Sequence, residues 1–265
     1  MESIERDGVR IAYRVEGSTD VARPWLVFSH SLACDHTMWD AQMEAFADFR
    51  ILRYDTRGHG KSGAPEGEYA LELLADDLKA VLDAAAIRRC HFVGLSMGGM
   101  IGQQSLLKYP ARFDTVTLAD TTSRYPAESR AVWEERLALV GSRGMDAVVP
   151  STLERWFTAA FRESDPEEVG RIGRLIRSTP VAGYAGCAQG ISRINLTARL
   201  RDSDCPTLVM VGDSDLGTPQ SMAEEIVRAM PRSRLHVIPG AAHLSNIEQP
   251  AEFNRVLRQF LALNS

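Results

Sequence analysis

The chain has 265 residues, of which 45% are hydrophobic and 25% are charged, and its formal net charge is −5. This balance is typical of a globular protein with a sizeable core, built as one large domain or as a core with an insertion. The negative charge and the lack of any block of basic residues argue against nucleic acid or an anionic membrane as the main partner.

The cysteines and the apolar runs bear on the cellular compartment. Cys34, Cys90, Cys187 and Cys205 are widely scattered and form no C-x-x-C pair, which favours free thiols over a disulfide framework or a zinc site. The N-terminal segment lacks the apolar stretch of a signal peptide, and no run approaches the roughly 18 apolar residues of a membrane span. We therefore expect a cytoplasmic protein that does not contact membranes.

Short apolar runs alternate with amphipathic helical patterns along much of the chain. This alternation predicts an α/β fold, with a mostly parallel, twisted sheet covered by helices on both faces. Two of the helices are predicted to begin at prolines, Pro219 and Pro250. The predicted strands are Val9–Val15, Trp25–Ser29, Arg50–Tyr54, His91–Leu95, Thr115–Ala119, Thr207–Val211 and Leu235–Ile238.

The alternation stops over residues 121–199, where helical patterns continue without a convincing strand. We interpret this segment as an all-helical cap that is inserted between two strands and closes over the active site. Residues 1–120 and 200–265 would then form the core. The helical patterns of the cap are Val132–Val140, Leu153–Phe161 and Val169–Ile176.

A G-x-S-x-G motif, Gly94-Leu95-Ser96-Met97-Gly98, follows a predicted strand and opens a helical stretch. In this strand–turn–helix context the motif forms a sharp, strained turn that exposes the serine hydroxyl. Glycine is needed beside the serine because a Cβ atom would prevent the neighbouring backbone from packing so closely. We predict that Ser96 is a nucleophile.

A serine hydroxyl with its ordinary pKa is a poor nucleophile and needs an adjacent base. Among the six histidines, His91 and His236 lie inside predicted strands, where a structural role is expected. His243 directly follows the last predicted strand and precedes the C-terminal helix. Because the carboxyl ends of parallel strands share one edge of the sheet, Ser96 and His243 can meet there. We predict that His243 is the base.

Three aspartates compete for the role of the acid that orients this base. Asp213 and Asp215 follow the predicted strand Thr207–Val211, and Asp120 ends the preceding strand. All three lie at the same edge of the sheet, so an acid after either strand could reach the imidazole. We favour Asp215 and keep Asp120 as the main alternative. The acid would fix the tautomer of the histidine and stabilise its imidazolium form.

Acyl transfer also requires two backbone N–H donors that stabilise the developing oxyanion. Met97, the residue after the nucleophile, is expected to supply one donor. The second should come from the loop after Trp25–Ser29, and we favour Leu32 over Ser31. His30 in the same loop is expected to shape the loop without contacting the substrate.

Several segments resemble the 3-oxoadipate enol-lactonases of bacterial aromatic catabolism, a family with the α/β-hydrolase fold. The resemblance covers nearly the whole chain. The segments that resemble the family are Arg53–Ser62 (RYDTRGHGKS), Gly94–Met100 (GLSMGGM), Ala242–Pro250 (AHLSNIEQP), Arg155–Thr158 (RWFT) and Gly183–Ala185 (GYA). Residues 30–33 (HSLA) and 187–195 (CAQGISRIN) depart from the pattern of the family, which leaves the exact lactone open.

The resemblance implies the triad Ser96, Asp215 and His243, and Leu32 and Met97 as the oxyanion donors. It also implies that the substrate contacts the pocket through Ser31 and through three cap residues, Arg155, Trp156 and Tyr184. Arg155 is our candidate partner for a substrate carboxylate, because the implied lactone bears a free acid and guanidinium binds carboxylate with two hydrogen bonds.

The predicted activity is hydrolysis of a small enol-lactone or ester by acyl transfer. The alternatives are a general carboxylesterase, a C–C bond hydrolase, a cofactor-free perhydrolase or lyase, and a non-catalytic binding protein that retains the triad. No cofactor and no metal are expected: Gly60-Lys61-Ser62 resembles the end of a P-loop, but Asp55 stands where its upstream glycine is required. The sequence does not indicate the oligomeric state.

Overall fold

The computed structural model describes residues 1–264, which form an eight-stranded sheet in the order β1-β2-β4-β3-β5-β6-β7-β8. The pairs β1–β2 and β2–β4 are antiparallel, and the other neighbours are parallel. This confirms the mostly parallel sheet. The strands are β1 Glu2–Arg6, β2 Val9–Gly17, β3 Trp25–Ser29, β4 Arg50–Tyr54, β5 Cys90–Leu95, β6 Phe113–Ala119, β7 Thr207–Gly212 and β8 Ser233–Ile238.

All seven predicted strands are present, but the sequence analysis missed β1. This edge strand is short and mostly exposed, so it lacks the apolar run on which strand prediction depends. It forms a hairpin with β2 through Asp7 and Gly8, which both have positive φ (52° and 71°). The Asp-Gly pair is a turn signal that could have revealed the hairpin.

Helices cover the sheet and fill the long connection between β6 and β7. Within residues 1–264, none of them combines the length and apolar character that a membrane span requires. The α-helices are α1 Asp40–Met43, α2 Leu71–Ala84, α3 Met97–Lys108, α4 Ser129–Arg143, α5 Val149–Trp156, α6 Ala159–Ser164, α7 Pro166–Ser178, α8 Val181–Ile191, α9 Thr197–Leu200, α10 Gln220–Ala229, α11 Ser245–Glu248 and α12 Pro250–Ala262. Short 3-10 helices cover His36–Trp39, Glu44–Phe46, Pro110–Arg112 and Met145–Val148.

Two details of the helix predictions were wrong. The pattern Leu153–Phe161 is not one helix, because α5 ends at Trp156 and Thr158 begins α6 as its N-cap, with its side chain accepting a hydrogen bond from the Phe161 N–H. Pro219 precedes α10 as its N-cap and is not the first helical residue. The prediction that a helix begins at Pro250 is confirmed.

The segment between β6 and β7 leaves and re-enters the sheet region at one place. Arg124 and Asn195 form an antiparallel bridge. Beside it, the Leu196 N–H donates to the Ser123 carbonyl at 2.8 Å. The two ends of this largely helical segment are therefore held together by backbone hydrogen bonds.

A close backbone contact joins this segment to the core. Gly183 in α8 lies so near Gly58, in the loop after β4, that a Cβ atom on Gly183 would stand 2.0 Å from the Gly58 carbonyl oxygen. Gly58 has a φ of 84°, which favours glycine. The contact holds α8 against the loop that also contains His59.

We expect Gly183→Ala to lower the free energy of unfolding by about 1–3 kcal/mol, since the added methyl group meets rigid backbone. Gly141→Ala is the matched control: Gly141 lies in α4, and its Cβ would meet no atom within 4 Å. That change should raise stability by about 0.5–1 kcal/mol. Urea denaturation measures both, and equal effects of the two variants would contradict the close contact.

Candidate active site

Ser96 lies at the turn between β5 and α3 with φ 55° and ψ −115°, a backbone conformation that non-glycine residues seldom adopt. Two glycines make room for this turn. A Cβ atom on Gly94 would lie 2.3 Å from the Gly98 carbonyl oxygen, and one on Gly98 would lie 2.1 Å from that of Ser29. The motif therefore forms the sharp turn that the sequence predicts, packed directly against the end of β3.

Asp215 and His243 form a buried ion pair at the same edge of the sheet. Asp215 follows β7, His243 follows β8, and Nδ1 of His243 lies 2.8 Å from Oδ2 of Asp215. Thr218 holds the carboxylate in place, with its hydroxyl donating to Oδ2 at 2.7 Å and its N–H donating to Oδ1 at 3.0 Å. The Gly217 N–H also donates to Oδ1, at 2.7 Å.

The ion pair shifts the pKa values of both partners. Burial opposes charge on each group, but the attraction between them outweighs it, so the pKa of His243 is raised and the pKa of Asp215 is lowered. The contribution of Asp215 to stability is lost as the pH falls below its unfolded pKa of about 3.9 and through its folded pKa. The contribution of His243 is lost as the pH rises above about 6.5 and through its raised pKa.

Asp120, the alternative acid, is fully buried beside this pair without a direct bond to the imidazole. Its carboxyl group accepts a hydrogen bond from the Gly212 N–H at 2.9 Å and bonds the Ser245 hydroxyl. Burial and the nearby Asp215 carboxylate raise its pKa well above the ordinary value. The hydrogen bond to His243 thus belongs to Asp215, which is the arrangement that the favoured prediction describes. Asp213 instead accepts from the Gly240 N–H.

The two backbone donors predicted for an oxyanion hole belong to the start of α3 and to the loop after β3, two segments that pack together where Gly98 meets the Ser29 carbonyl. Met97 is the first residue of α3, so its N–H has no carbonyl partner within the helix. Leu32 lies in the loop after β3, and no acceptor for its N–H is found within residues 1–264. Both groups are therefore free to bind an anion.

Two buried histidines hold the loop that contains Leu32. His30 bonds the Ser31 carbonyl at 2.7 Å through Nδ1 and accepts from the Thr56 N–H at 2.9 Å through Nε2. His59 accepts from the Ala33 N–H at 2.9 Å. Burial lowers the pKa of His30, and it lowers the pKa of His59 to about 3, so both rings are neutral at pH 7. His30 shapes the loop, as the sequence suggested.

Ser96 and His243 line one small cavity of about 210 Å³. The structure places all four predicted substrate contacts, Ser31, Arg155, Trp156 and Tyr184, in its wall. The Trp156 ring stacks against the His243 ring with 5.9 Å between centroids. Within residues 1–264 no hydrogen bond links the Ser96 hydroxyl to His243.

The sequence analysis missed three residues of this site. Thr218 braces Asp215, and its position three residues after an aspartate is a signal for a side-chain turn. Arg136 lines the cavity beside Arg155, but nothing distinguishes it from the other cap arginines in the sequence. Tyr125 lines the cavity at the start of the cap, again without a sequence signal.

Comparison with known proteins agrees with this fold. Residues 24–250 match the sequence model of the alpha/beta hydrolase fold family. The 3-oxoadipate enol-lactonase 2 of Acinetobacter baylyi is 34% identical over 97% of this chain and 94% of that protein. A protein of Agrobacterium fabrum named as a carbamate hydrolase, RutD, is 30% identical over 94% of this chain and 97% of that protein.

A solved structure of a related enzyme has the same fold. The enol-lactonase from Burkholderia xenovorans LB400 superposes with a TM-score of 0.95 and 34% identity, covering 98% of this chain and all of that one (100%). The fold and the matching relatives define an α/β-hydrolase, an enzyme that hydrolyses a small-molecule substrate. Within that class, the chain belongs to the 3-oxoadipate enol-lactonase family.

The interactions of His243 with Asp215 and Asp120 predict how its pKa changes when either aspartate is replaced. Its pKa, measured by NMR, should lie above the ordinary value of about 6.5. Asp215→Asn should lower that pKa strongly, because it removes both the charge and the acceptor that stabilise the imidazolium. Asp120→Asn should lower it less, since Asp120 acts on His243 only through space. A larger effect of Asp120→Asn would mean that the earlier strand supplies the partner of the base.

Proposed function

We propose that this enzyme is a serine hydrolase that opens a small enol-lactone bearing a free carboxylate. The observation that carries this proposal is a pair of arginines, Arg136 and Arg155, that have no acidic partner among residues 1–264 and lie in the wall of the cavity that contains Ser96 and His243. In this proposal residues 121–199 act as a cap that binds the substrate, and residues 1–120 and 200–265 form the catalytic core.

The first half of the reaction forms an acyl-enzyme. Ser96 Oγ attacks the lactone carbonyl while His243 takes its proton, and Asp215 stabilises the imidazolium that results. The carbonyl oxygen becomes an oxyanion, to which the N–H groups of Leu32 and Met97 donate. The ring C–O bond then breaks, and the enol oxygen takes the proton from His243 while it remains tethered to the acyl chain.

The second half of the reaction releases the acid. His243 removes a proton from a water molecule, whose oxygen attacks the ester bond to Ser96. The same two backbone groups again bind the oxyanion. When that intermediate collapses, Ser96 Oγ leaves and regains a proton from His243, which returns the site to its starting state.

The two arginines support an anionic substrate. Arg136 bonds the hydroxyl groups of Tyr184 and Thr152, which are neutral partners. Arg155 is half-buried, and no hydrogen bond or ion pair of its side chain occurs within residues 1–264. Burial and the nearby Arg136 lower the pKa of Arg155, which reflects the cost of holding two like charges there. A bound carboxylate would offset this cost and orient the ring over Ser96.

Hydrolysis of a carbamate is the second candidate, because the RutD relative is 30% identical over almost the same span. The same acyl-transfer machinery would serve, with a nitrogen leaving group that His243 protonates. Kinetics on a panel of lactones, esters and carbamates separates the two. If the proposed enol-lactone activity is correct, kcat/KM is highest for a lactone that bears a free carboxylate, above that for the esters and carbamates.

Ser96→Ala should reduce kcat about 10³-fold or more while leaving the thermal unfolding profile unchanged, since it removes the attacking atom. After treatment with a fluorophosphonate probe, mass spectrometry of the wild-type protein should locate the label on Ser96. The Ala variant should remain unlabelled. A label on another residue would show that Ser96 is not the nucleophile.

Arg155→Met should lower kcat/KM about 10- to 100-fold on an acid-bearing lactone and have little effect on the methyl ester of that lactone, because only the acid loses a charged hydrogen bond. Arg174→Met is the control, since Arg174 is an exposed cap residue outside the cavity. Equal losses on the acid and the ester would assign Arg155 a structural role, and no loss on either would exclude it from substrate binding.

A further inference from the structure

Glu248 is a buried carboxylate with an unusual set of partners. It ends α11 and is only 6% exposed. Its Oε1 atom accepts from both the N–H and the hydroxyl of Thr158, each at 2.8 Å. Its Oε2 atom accepts from the Ala242 N–H at 2.5 Å. No arginine or lysine within residues 1–264 forms an ion pair with it. Three donors satisfy this one group, two from Thr158, which is 90 residues away, and one from Ala242, which is six residues away.

The residues on both sides of His243 in the chain, Ala242 and Leu244, are held by hydrogen bonds from their N–H groups. The Ala242 N–H, just before the histidine, bonds Glu248, and the Leu244 N–H, just after it, donates to the Trp156 carbonyl at 3.1 Å. Both hydrogen bonds connect to the same segment, Trp156–Thr158, at the junction of α5 and α6. The Leu244 N–H reaches it directly at Trp156, and the Ala242 N–H reaches it through Glu248, which is bonded to Thr158. The histidine backbone is therefore fastened at two points to the segment Trp156–Thr158.

We propose that Glu248 is a positioning residue that fixes the backbone of His243 against the segment Trp156–Thr158, so that the imidazole faces Ser96. This inference rests on the proposed role of His243 as the base. Asp215, at 2.8 Å, and the Thr218 hydroxyl, at 3.4 Å, hold only the Nδ1 end of the ring. Contacts at one ring atom leave the histidine Cα free to shift. A displacement of about 1 Å at a reacting group can reduce a rate about 10²-fold.

The arrangement also links the substrate pocket to the base. Trp156 contributes its carbonyl to the Leu244 N–H and its ring to the wall beside His243. Thr158 contributes two donors to Glu248 and also caps α6. The segment that forms the tryptophan wall is consequently the same segment that sets the position of the histidine.

Glu248→Gln tests the proposal, because an amide has one acceptor oxygen and its NH₂ group must face the N–H of either Ala242 or Thr158. We expect kcat for p-nitrophenyl acetate to fall about 10- to 100-fold with little change in KM. The downfield NMR resonance of the His243 Nδ1 proton should weaken or move upfield. The pKa in the kcat/KM profile should fall toward about 6.5 as the bond to Asp215 loosens. Glu252→Gln, which removes a partly exposed carboxylate of α12 that pairs with Arg255 and His236, should leave all three readouts unchanged.

Thr158 provides an independent test from the other side of the contact. Thr158→Val removes the hydroxyl donor, and it should move the same three readouts in the same direction by a smaller amount. Thr158→Ser keeps the hydroxyl and should restore them. If both Glu248→Gln and Thr158→Val lower only the melting temperature, Glu248 is structural and the proposal is overturned.

The NMR resonance keeps this test separate from the proposed function. If the wild-type protein opens no lactone and hydrolyses no ester, the proposed function fails, while the resonance still reports whether Glu248 positions His243. A resonance that is unchanged in Glu248→Gln and Thr158→Val contradicts the positioning role even if the enzyme is an active lactonase.

Discussion

The close approach of α3 to the end of β3 is the constraint on which the site depends. Gly98 packs directly against the Ser29 carbonyl, where no larger residue fits. This contact brings the serine turn, which includes Met97, beside the loop that follows β3, which includes Leu32. Ser96 keeps its strained backbone because its N–H donates to the Ala119 carbonyl and its own carbonyl accepts from Thr121.

Charges of opposite sign act on His243. Asp215 and Asp120 raise its pKa, whereas Arg155 in the cavity wall lowers it. A substrate carboxylate at Arg155 would cancel part of the opposing charge and make the histidine a stronger base once the ligand is bound. The two carboxylates outweigh burial and Arg155, so the pKa of His243 remains above its ordinary value.

Much of the fold and of the central site can be predicted from the sequence, because most strands and the turn at Ser96 each have a local sequence pattern. Apolar runs reveal β2 to β8, and G-x-S-x-G reveals the turn at Ser96. The roles of Arg136 and Glu248 have no such signal, since they depend on partners far along the chain, Tyr184 and Thr158. The break after Trp156 was missed because Thr158 ends the helical pattern through its cap and its bonds to Glu248, which apolar periodicity does not report.

The paired backbone at Arg124 and Asn195 has an evolutionary consequence. Because the two ends of the intervening segment meet, that segment occupies the place of a surface loop, and such places tolerate insertion and replacement well. Selection can therefore remodel much of what lies between the ends, including both cavity arginines, without disturbing the register of the sheet. Places that touch the core are constrained: Gly183 must stay small where it packs against Gly58, and a replacement for the stretch around Thr158 has to bring a compatible donor for Glu248.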